Sequence, residues 1–493
     1  MRTPHTLAAA LLFCICLPAT SQVVTIENLQ GPAASFQADL RNFRPYNTSP
    51  AGPVKVKQLA EDAGGEVVSY RDRISNLPAY LCDFIDKYVE AGNAVLAGGT
   101  NWLNDPTKGS RFSTDYYYPL NVVEKIIDFS FPVGSGVDVI KQAALDASMP
   151  IIIENIDTLS SFLPYTMLTV NYDHPNIFWI GNTFNYGYSS GGSISFNTAT
   201  GEGKYTLTLS LMLWLKRVEG NFDFRLKGNN NNNFRNTANI AAGVKLLNSS
   251  VKNILSQSTG KTRYKKLREV HDWITTHNCY NWYYYKNYGT NITGDLPWSP
   301  LSALKGTTDP EAPVCEGYSR AMKVLCDEMG IPCILMAGYA ADSPSGNPAG
   351  HMWNYIQMDN GKWYALDATW DDPVNDKNHS SAISGQESHK FFLVGSNDGA
   401  DSGWAFTQSH PEQWAYMFES AGSCEWTLQP GPQLTAENWT PYDPNFDGIT
   451  DLNDIQLMSE KIANDEDDID DVDGNGRISI GDLVRLINIS LSE

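Results

Sequence analysis

Two extended runs around one turn constrain this chain most. Residues 351–358, HMWNYIQM, and 362–370, KWYALDATW, flank Asp359-Asn360-Gly361. Aromatic and branched residues favour strands, and Asn-Gly is a strong hairpin signal, so an antiparallel hairpin is predicted. Side chains alternate faces along a strand, so loop length decides which residues share one. A two-residue Asn360-Gly361 loop would put His351 and Asp367 on opposite faces. A three-residue loop, a type I turn with Gly361 left-handed, sets His351 opposite Thr369 and Trp353 opposite Asp367. His351 and Asp367 then become diagonal neighbours on one face, within side-chain reach.

A third residue completes this pair. In residues 313–332, PVCEGYSRAMKVLCDEMGIP, Tyr318, Ala321, Met322, Leu325 and Met329 recur at helical spacing, and Gly330 and Pro332 end the helix. Cys315 falls at the predicted helix N-terminus, where unpaired amide N–H groups favour a thiolate. Cys326 sits mid-helix, as a structural cysteine does. Cys315 as nucleophile, His351 as proton shuttle and Asp367 as the group that orients the imidazole form a triad for covalent catalysis.

The chain has 493 residues, enough for two or three domains, with 42% hydrophobic and 18% charged residues. That mixture excludes a chain disordered throughout. The net charge of −21 argues against binding nucleic acid or an anionic membrane. Residues 1–21 read as a signal peptide: Leu7 to Leu17 is apolar, Ala19-Thr20-Ser21 offers small residues, and cleavage is expected before Gln22. The run is too short to span a bilayer, and no later stretch qualifies. A secreted, extracellular protein without membrane insertion is expected, associated with a scaffold or cell surface. The cysteines beyond residue 21 are Cys82, Cys279, Cys315, Cys326, Cys333 and Cys424; their spacing fits no zinc pattern.

Residues 22–255 are expected to form a mixed α/β N-terminal region. Within it, residues 74–91 show helical spacing with Gly92 as a stop. Residues 176–218 look like sheet, since Leu207, Leu209, Leu211, Leu213 and Leu215 alternate with Thr206, Thr208 and Ser210. His174 reads as loop structure, and Asn229–Asn233 as an exposed loop. This region offers no catalytic constellation, and two roles for it stay open: a wall of the cleft or an inhibitory propeptide. Residues 237–257 and 261–277 read as helices, with Leu267, Val270, His271 and Ile274 on one face of the second; His271 reads as a structural histidine. Trp370, Asp371 and Asp372 are expected to close the strand end. Residues 256–428 are assigned to the catalytic domain and the Pro-rich stretch 429–441 to a linker.

Residues 442–493 form a separate module. Asp443, Asn445, Asp447, Ile449, Asp451 and Asp454 occupy positions 1, 3, 5, 7, 9 and 12 of a twelve-residue loop, and Asp471, Asp473, Asn475, Arg477, Ser479 and Asp482 repeat the pattern. Gly448 and Gly476 stand at position 6. Oxygen ligands at this spacing wrap one calcium ion per loop, with backbone oxygens at Ile449 and Arg477. An EF-hand would carry Glu at position 12, where both loops here have Asp. Each loop runs into an apolar helical stretch: Ile455, Leu457, Met458 and Ile462 after the first, Leu483, Leu486 and Ile487 after the second. This duplication resembles a type I dockerin, although Thr450 stands at position 8 of the first loop, where an aliphatic is usual. The resemblance implies two calcium ions and a cohesin domain of a scaffolding protein as partner. A calcium-stabilised module without a partner is the other reading.

The sequences VCEGYSRAMKVLCDEMGIPC, GHMWNYIQMDNGKWYALDATWDDP and LREVHDWITTHNCYNW, with HKFFLVG further on, are similar to the bacterial transglutaminase-like superfamily over roughly residues 262–395. The resemblance implies a papain-like core and attack on an amide carbonyl through an acyl-thioester, with Cys315, His351 and Asp367 in the roles given above and no cofactor for catalysis. It also implies an oxyanion hole from the Cys315 N–H and an upstream aromatic, Tyr280 or Trp282. The expected fold class is thus α+β: a papain-like transglutaminase core after the N-terminal region and before a small calcium-binding helical dockerin. The leading function is a thiol amide hydrolase on proteins or peptides. A transglutaminase or protein deamidase is the first alternative, and a catalytically silent substrate-binding module on a scaffold the second.

Overall fold

The computed structural model describes residues 22–29, 68–74, 76–99, 115–217, 234, 237–258, 262–282, 296–306, 312–341, 346, 348–372, 388–397, 405–412, 430–440, 442–445, 450–464, 466, 469–470, 472 and 477–491. Residues 1–21, read above as a signal peptide, and the Asn229–Asn233 tract lie outside them. No helix among the described residues is long and apolar enough to cross a membrane.

In chain order the elements are β1 (Gln22–Leu29), α1 (Ala79–Leu96), β2 (Asp115–Ser130), α2 (Val137–Tyr172), β3 (Ile180–Asn197), β4 (Glu202–Arg217), α3 (Thr237–Gln257) and α4 (Arg263–His277). They continue with α5 (Pro300–Leu304), α6 (Cys315–Glu328), β5 (Cys333–Ala340), β6 (Ala349–Gln357), β7 (Trp363–Leu366), β8 (Phe392–Val394), α7 (Phe406–Ser409), α8 (Leu452–Ala463) and α9 (Ile480–Ser490). The chain divides into two compact units. One draws on residues within 1–37, 117–163 and 184–214, the other on residues within 38–116, 164–183 and 215–493.

The first unit carries a sheet in the order β1-β3-β4-β2, with β1 antiparallel to β3. The alternation read in residues 204–216 is its cause: Leu207, Leu209, Leu211 and Leu213 are buried, whereas Thr206 on the other face is exposed. Helix α2 was not legible in the sequence. Pro150 and Pro164 interrupt its pattern, and proline within a helix normally signals a break.

The second unit carries an antiparallel sheet in the order β5-β6-β7-β8, with α6 packed against β5 and β6. The β6–β7 register places Asn354 opposite Leu366 and Tyr355 opposite Ala365, which is the three-residue-loop pairing, and Gly361 takes φ +73°. Residues 68–99 and 164–183 belong to this unit as well. The Asp173 carboxylate accepts the Tyr70 and Arg71 N–H groups at 2.8 and 3.2 Å. Arg73, fully buried, donates to Glu412 at 3.1 Å.

Helix α1 corrects one expectation. It runs from Ala79 to Leu96, not over 74–91. Proline disfavours the helical region for the residue before it, and Pro78 is the N-cap here. Gly92 does not stop the helix; a Cβ there would lie 2.2 Å from Ile177 Cδ1, so glycine serves close packing.

Helices α8 and α9 enclose a small core of Met458, Ile469, Val472 and Leu486, flanked by Ile455, Ile462, Leu483 and Ile489. Leu457 and Ile487, expected in that core, are only half-buried. Asp451 caps α8 and Ser479 caps α9, each in a reciprocal capping box with the aspartate three residues on.

Candidate active site

Cys315 is the first residue of α6, and Val314 before it supplies no side-chain cap. Gly317 and Tyr318 donate their N–H groups to the Val314 carbonyl at 2.8 and 3.2 Å, so only the Cys315 and Glu316 amides of that turn are left for the thiol's surroundings. The thiol is half-exposed, whereas His351 and Asp367 are buried. His351 lies in β6 opposite Gly338 of β5. Its Nε2 donates to Asp367 Oδ2 at 2.6 Å. The ring also hydrogen-bonds Cys315, and with Nε2 engaged, Nδ1 is the atom left to face the sulfur. The parity of the hairpin thus brings His351 to Asp367, and the start of α6 brings Cys315 to His351.

The charge balance of the pair is set by geometry. Burial works against a charged His351, but the adjacent Asp367 charge, its hydrogen bond and the Cys315 contact outweigh it and raise the imidazole pKa to about 10. Burial likewise opposes an ionised Asp367, yet the His351 charge and the hydrogen bonds it receives hold the carboxyl well below the usual range. Those bonds are four. Oδ1 accepts the N–H groups of Thr369 and Trp370 at 3.0 and 3.2 Å, and Oδ2 accepts from His351 and, at 3.2 Å, from His410. His410 was missed by sequence reasoning. It stands in the short stretch SHPEQW with no periodicity around it, so nothing local distinguishes it.

Residues 371 and 372 do more than close the strand. Asp371 accepts the Phe391 N–H at 3.1 Å and His271 Nε2 at 3.1 Å, and its own N–H donates to the Asp367 carbonyl at 3.2 Å. His271, fully buried, also contacts Asp272 at 3.2 Å through Nδ1. Burial opposes its charge, but the two carboxylates raise its pKa. It is therefore a structural pin between α4 and the turn after Asp367. Asp372 accepts the Tyr318 hydroxyl, and burial pushes its carboxyl up to about 7.

The two aromatics named for the oxyanion hole lie beside the nucleophile's segment. Asn281 donates its backbone N–H to the Pro313 carbonyl at 3.0 Å and its side-chain amide to the Ala312 carbonyl at 2.9 Å. Tyr280 and Trp282 flank that anchor, with ring centroids 5.0 Å apart.

Two groups have metal-ligating atoms close together: His351, Asp367 and His410, and His271, Asp272 and His389. The first is the network just described. In the second, Arg268 donates to His389 Nδ1 at 2.7 Å and to Asp272 at 3.1 Å, so a cation already occupies the cluster. The described cysteines Cys82, Cys279, Cys315, Cys326 and Cys333 are free thiols; Cys424 lies outside the described residues. Of the loop residues in the C-terminal module, Asp443, Asn445, Asp451, Asp454, Arg477, Ser479 and Asp482 are described, and Asp447, Ile449, Asp471, Asp473 and Asn475 are not.

Residues 252–368 match the model of the transglutaminase-like superfamily. The chain thus contains a transglutaminase-like domain, and the matched stretch holds Cys315, His351 and Asp367. Solved structures resembling the chain include a TGase, at 17% identity and TM-score 0.23, covering 37% of this chain and 46% of that one. The chain therefore spans just under half the length of that relative. Another is a candidate cysteine protease of Cytophaga hutchinsonii, at 18% identity and TM-score 0.19, covering 41% and 70%. Neither likeness is close enough to bear on activity. No curated protein is significantly similar to the chain.

Proposed function

We propose that this is a secreted thiol enzyme that cleaves amide bonds of proteins or peptides. The observation that carries the reading is the buried His351–Asp367 pair, 2.6 Å apart, beside a half-exposed cysteine at an uncapped helix N-terminus. Cys315 Sγ attacks the amide carbonyl carbon. The resulting oxyanion is met by the Cys315 N–H and by Tyr280 or Trp282. The imidazolium of His351 gives its Nδ1 proton to the leaving nitrogen as the C–N bond breaks, which leaves an acyl-thioester and a neutral imidazole. Water, deprotonated by that imidazole, then attacks the thioester carbon and restores the thiol. If a lysine amine replaces water, the same intermediate yields a cross-link. Incubation with a denatured protein, with and without a primary amine, followed by mass spectrometry decides between these courses. New peptide termini are expected. Ammonia release with amine incorporation would instead indicate a transglutaminase, ammonia release alone a deamidase, and an unchanged substrate a silent binding module.

Residues 68–99 and 164–183 support the cleft-wall reading of the N-terminal region. Arg73 is buried and ion-paired to Glu412, and the Tyr172 ring lies within electrostatic reach of Cys315 and Glu316, with Arg320 over its face at 5.6 Å. A removable propeptide would take the buried Arg73 away from Glu412.

Residues 442–493 would tether the enzyme to a scaffold as a calcium-dependent dockerin that docks on a cohesin. The donor set fits calcium: it is all oxygen, and the position-12 carboxylates Asp454 and Asp482 are buried and aimed back at their own loops. Asp454 accepts the Asn445 N–H at 3.2 Å, and Asp482 accepts the Val472 N–H at 2.8 Å. Residues 443–493 hold 14 acidic and 3 basic residues around a core of a few side chains, so the module should need cations to fold. Chelation of the full chain is expected to abolish the helical contribution of 442–493 and cohesin binding while Cys315 chemistry persists. Circular dichroism and binding measured with and without chelator check this, and indifference of both would refute the metal dependence.

A further inference from the structure

The second histidine on Asp367 has no role in the chemistry described above, and it lies beyond the matched stretch 252–368. Its placement is built. Tyr339 and Ala341 donate their N–H groups to the Pro411 and Ser409 carbonyls at 3.1 Å, and Gly338 bridges to Glu412. A Cβ on Gly338 would lie 2.2 Å from the Pro411 carbonyl oxygen, so glycine is what admits this segment beside β5. The imidazole of His410 is stacked on Phe406 at 4.1 Å, edged by Trp370 at 4.6 Å and Trp353 at 5.2 Å, and tilted against Phe391 at 5.6 Å. Among the described residues, the titratable groups facing it are Asp367 and His351; its own turn adds only the Ser409 hydroxyl, and Lys390 lies over the Phe391 ring.

The hydrogen bonds fix the tautomer. An ionised Asp367 can only accept, so His410 Nε2 carries the hydrogen. Burial lowers the His410 pKa, which keeps the ring neutral and leaves Nδ1 as an acceptor. The Ser409 hydroxyl lies 2.7 Å from Nδ1 and 2.9 Å from the Phe406 carbonyl, which also accepts the His410 N–H at 2.8 Å.

We propose that His410 is a positioning residue: its Nε2–H keeps the Asp367 carboxylate ionised and aimed at His351. The proposal rests on the thiol-enzyme reading. A carboxylate that loses one of four donors in a buried site is protonated more easily, so its pKa rises. A carboxylate aimed less firmly also holds the His351 imidazolium less firmly beside Cys315, so the thiolate is stabilised less and the acidic limb of Cys315 reactivity moves to higher pH.

The test is the rate of alkylation of Cys315 by iodoacetamide against pH, followed by peptide mass spectrometry in the full chain. Cys315→Ala supplies the background from Cys82 and the buried thiols. His410→Met keeps the volume and removes the donor; its acidic limb is expected about one pH unit above wild type. His410→Gln carries an N–H the same number of bonds from Cβ as Nε2 and is expected to keep the wild-type limb. An unmoved limb in His410→Met, or an equal shift in both variants, overturns the proposal. Should His410→Met fail to fold, His410→Asn takes its place, since its amide falls one bond short: a shift in Asn alone supports the proposal, and equal behaviour of Asn and Gln overturns it. A wild-type Cys315 that reacts no faster than Cys82 overturns the thiol-enzyme reading itself and leaves His410 without a function to position.

Discussion

Replacing Cys315 with alanine is expected to abolish turnover of any amide substrate and to leave folding almost intact. Without Sγ there is no acyl-thioester, and serine enzymes built on the same logic lose about 10⁶ in kcat when the nucleophile is removed. The fold should tolerate the change for three reasons. The thiol is half-exposed, so little buried surface is lost. Alanine is the best helix former, and the site is the first turn of α6. The core face of that helix, Tyr318, Ala321, Met322 and Leu325, is untouched and fully buried. A melting temperature within about 3 °C of wild type is expected. Thiol labelling gives a second readout: selective modification should vanish in the variant, because Cys279, Cys326 and Cys333 are buried and only Cys82 remains half-exposed among the described thiols. Retained activity would remove Cys315 from the mechanism.

The site was legible where local rules set geometry. The Asp359-Asn360-Gly361 turn fixes the β6–β7 register through its length, and the register brings His351 to Asp367; this needs no tertiary information. The start of α6 at Cys315 follows from its helical spacing and from Gly330 and Pro332 beyond its end. His410 was hidden because it reaches Asp367 through a tertiary pairing, the run of residues 409–412 beside β5, which depends on a glycine far away in sequence. His271 was visible as part of an apolar helix face, but its two carboxylate partners come from a neighbour in sequence and from the turn after Asp367, and only the fold joins them. The same limit applies to larger elements. The alternation in β4 disclosed a buried face, whereas α2 carries two prolines and little amphipathic contrast, so pattern alone gave no helix.

The three buried histidines differ in whether their partners outweigh burial. His351 and His271 each face carboxylate charge strongly enough to outweigh desolvation and have raised pKa values, whereas at His410 burial outweighs Asp367, the His351 charge adds to it, and the pKa is lowered. One carboxylate thus holds a charged imidazole at 2.6 Å and a neutral one at 3.2 Å. The shorter bond goes to the ring that carries the positive charge, as a charge-assisted hydrogen bond should.

That arrangement makes Asp367→Asn a severe substitution, although it changes one atom. An amide must present its oxygen and its nitrogen to two different sets of partners. With the oxygen at the Oδ2 position, the NH₂ group meets the Thr369 and Trp370 N–H groups, donor against donor. With the amide flipped, its oxygen satisfies those two N–H groups and its NH₂ faces Nε2 of both His351 and His410. His351 can then only accept at Nε2, so its single hydrogen moves to Nδ1 and the ring is neutral. Such a ring cannot take a proton from Cys315. The charge that raises the His351 pKa to about 10 is also gone, so that pKa falls and the imidazolium is lost at lower pH. Turnover is expected to drop by about 10⁴, the size of the effect when the orienting aspartate of a serine triad is made an amide. The alkaline limb of any remaining activity should shift downward from about 10. Rates of acyl-enzyme formation and Cys315 alkylation measured across pH check both parts. A loss smaller than tenfold with an unmoved alkaline limb would mean that Asp367 packs beside His351 without controlling its proton.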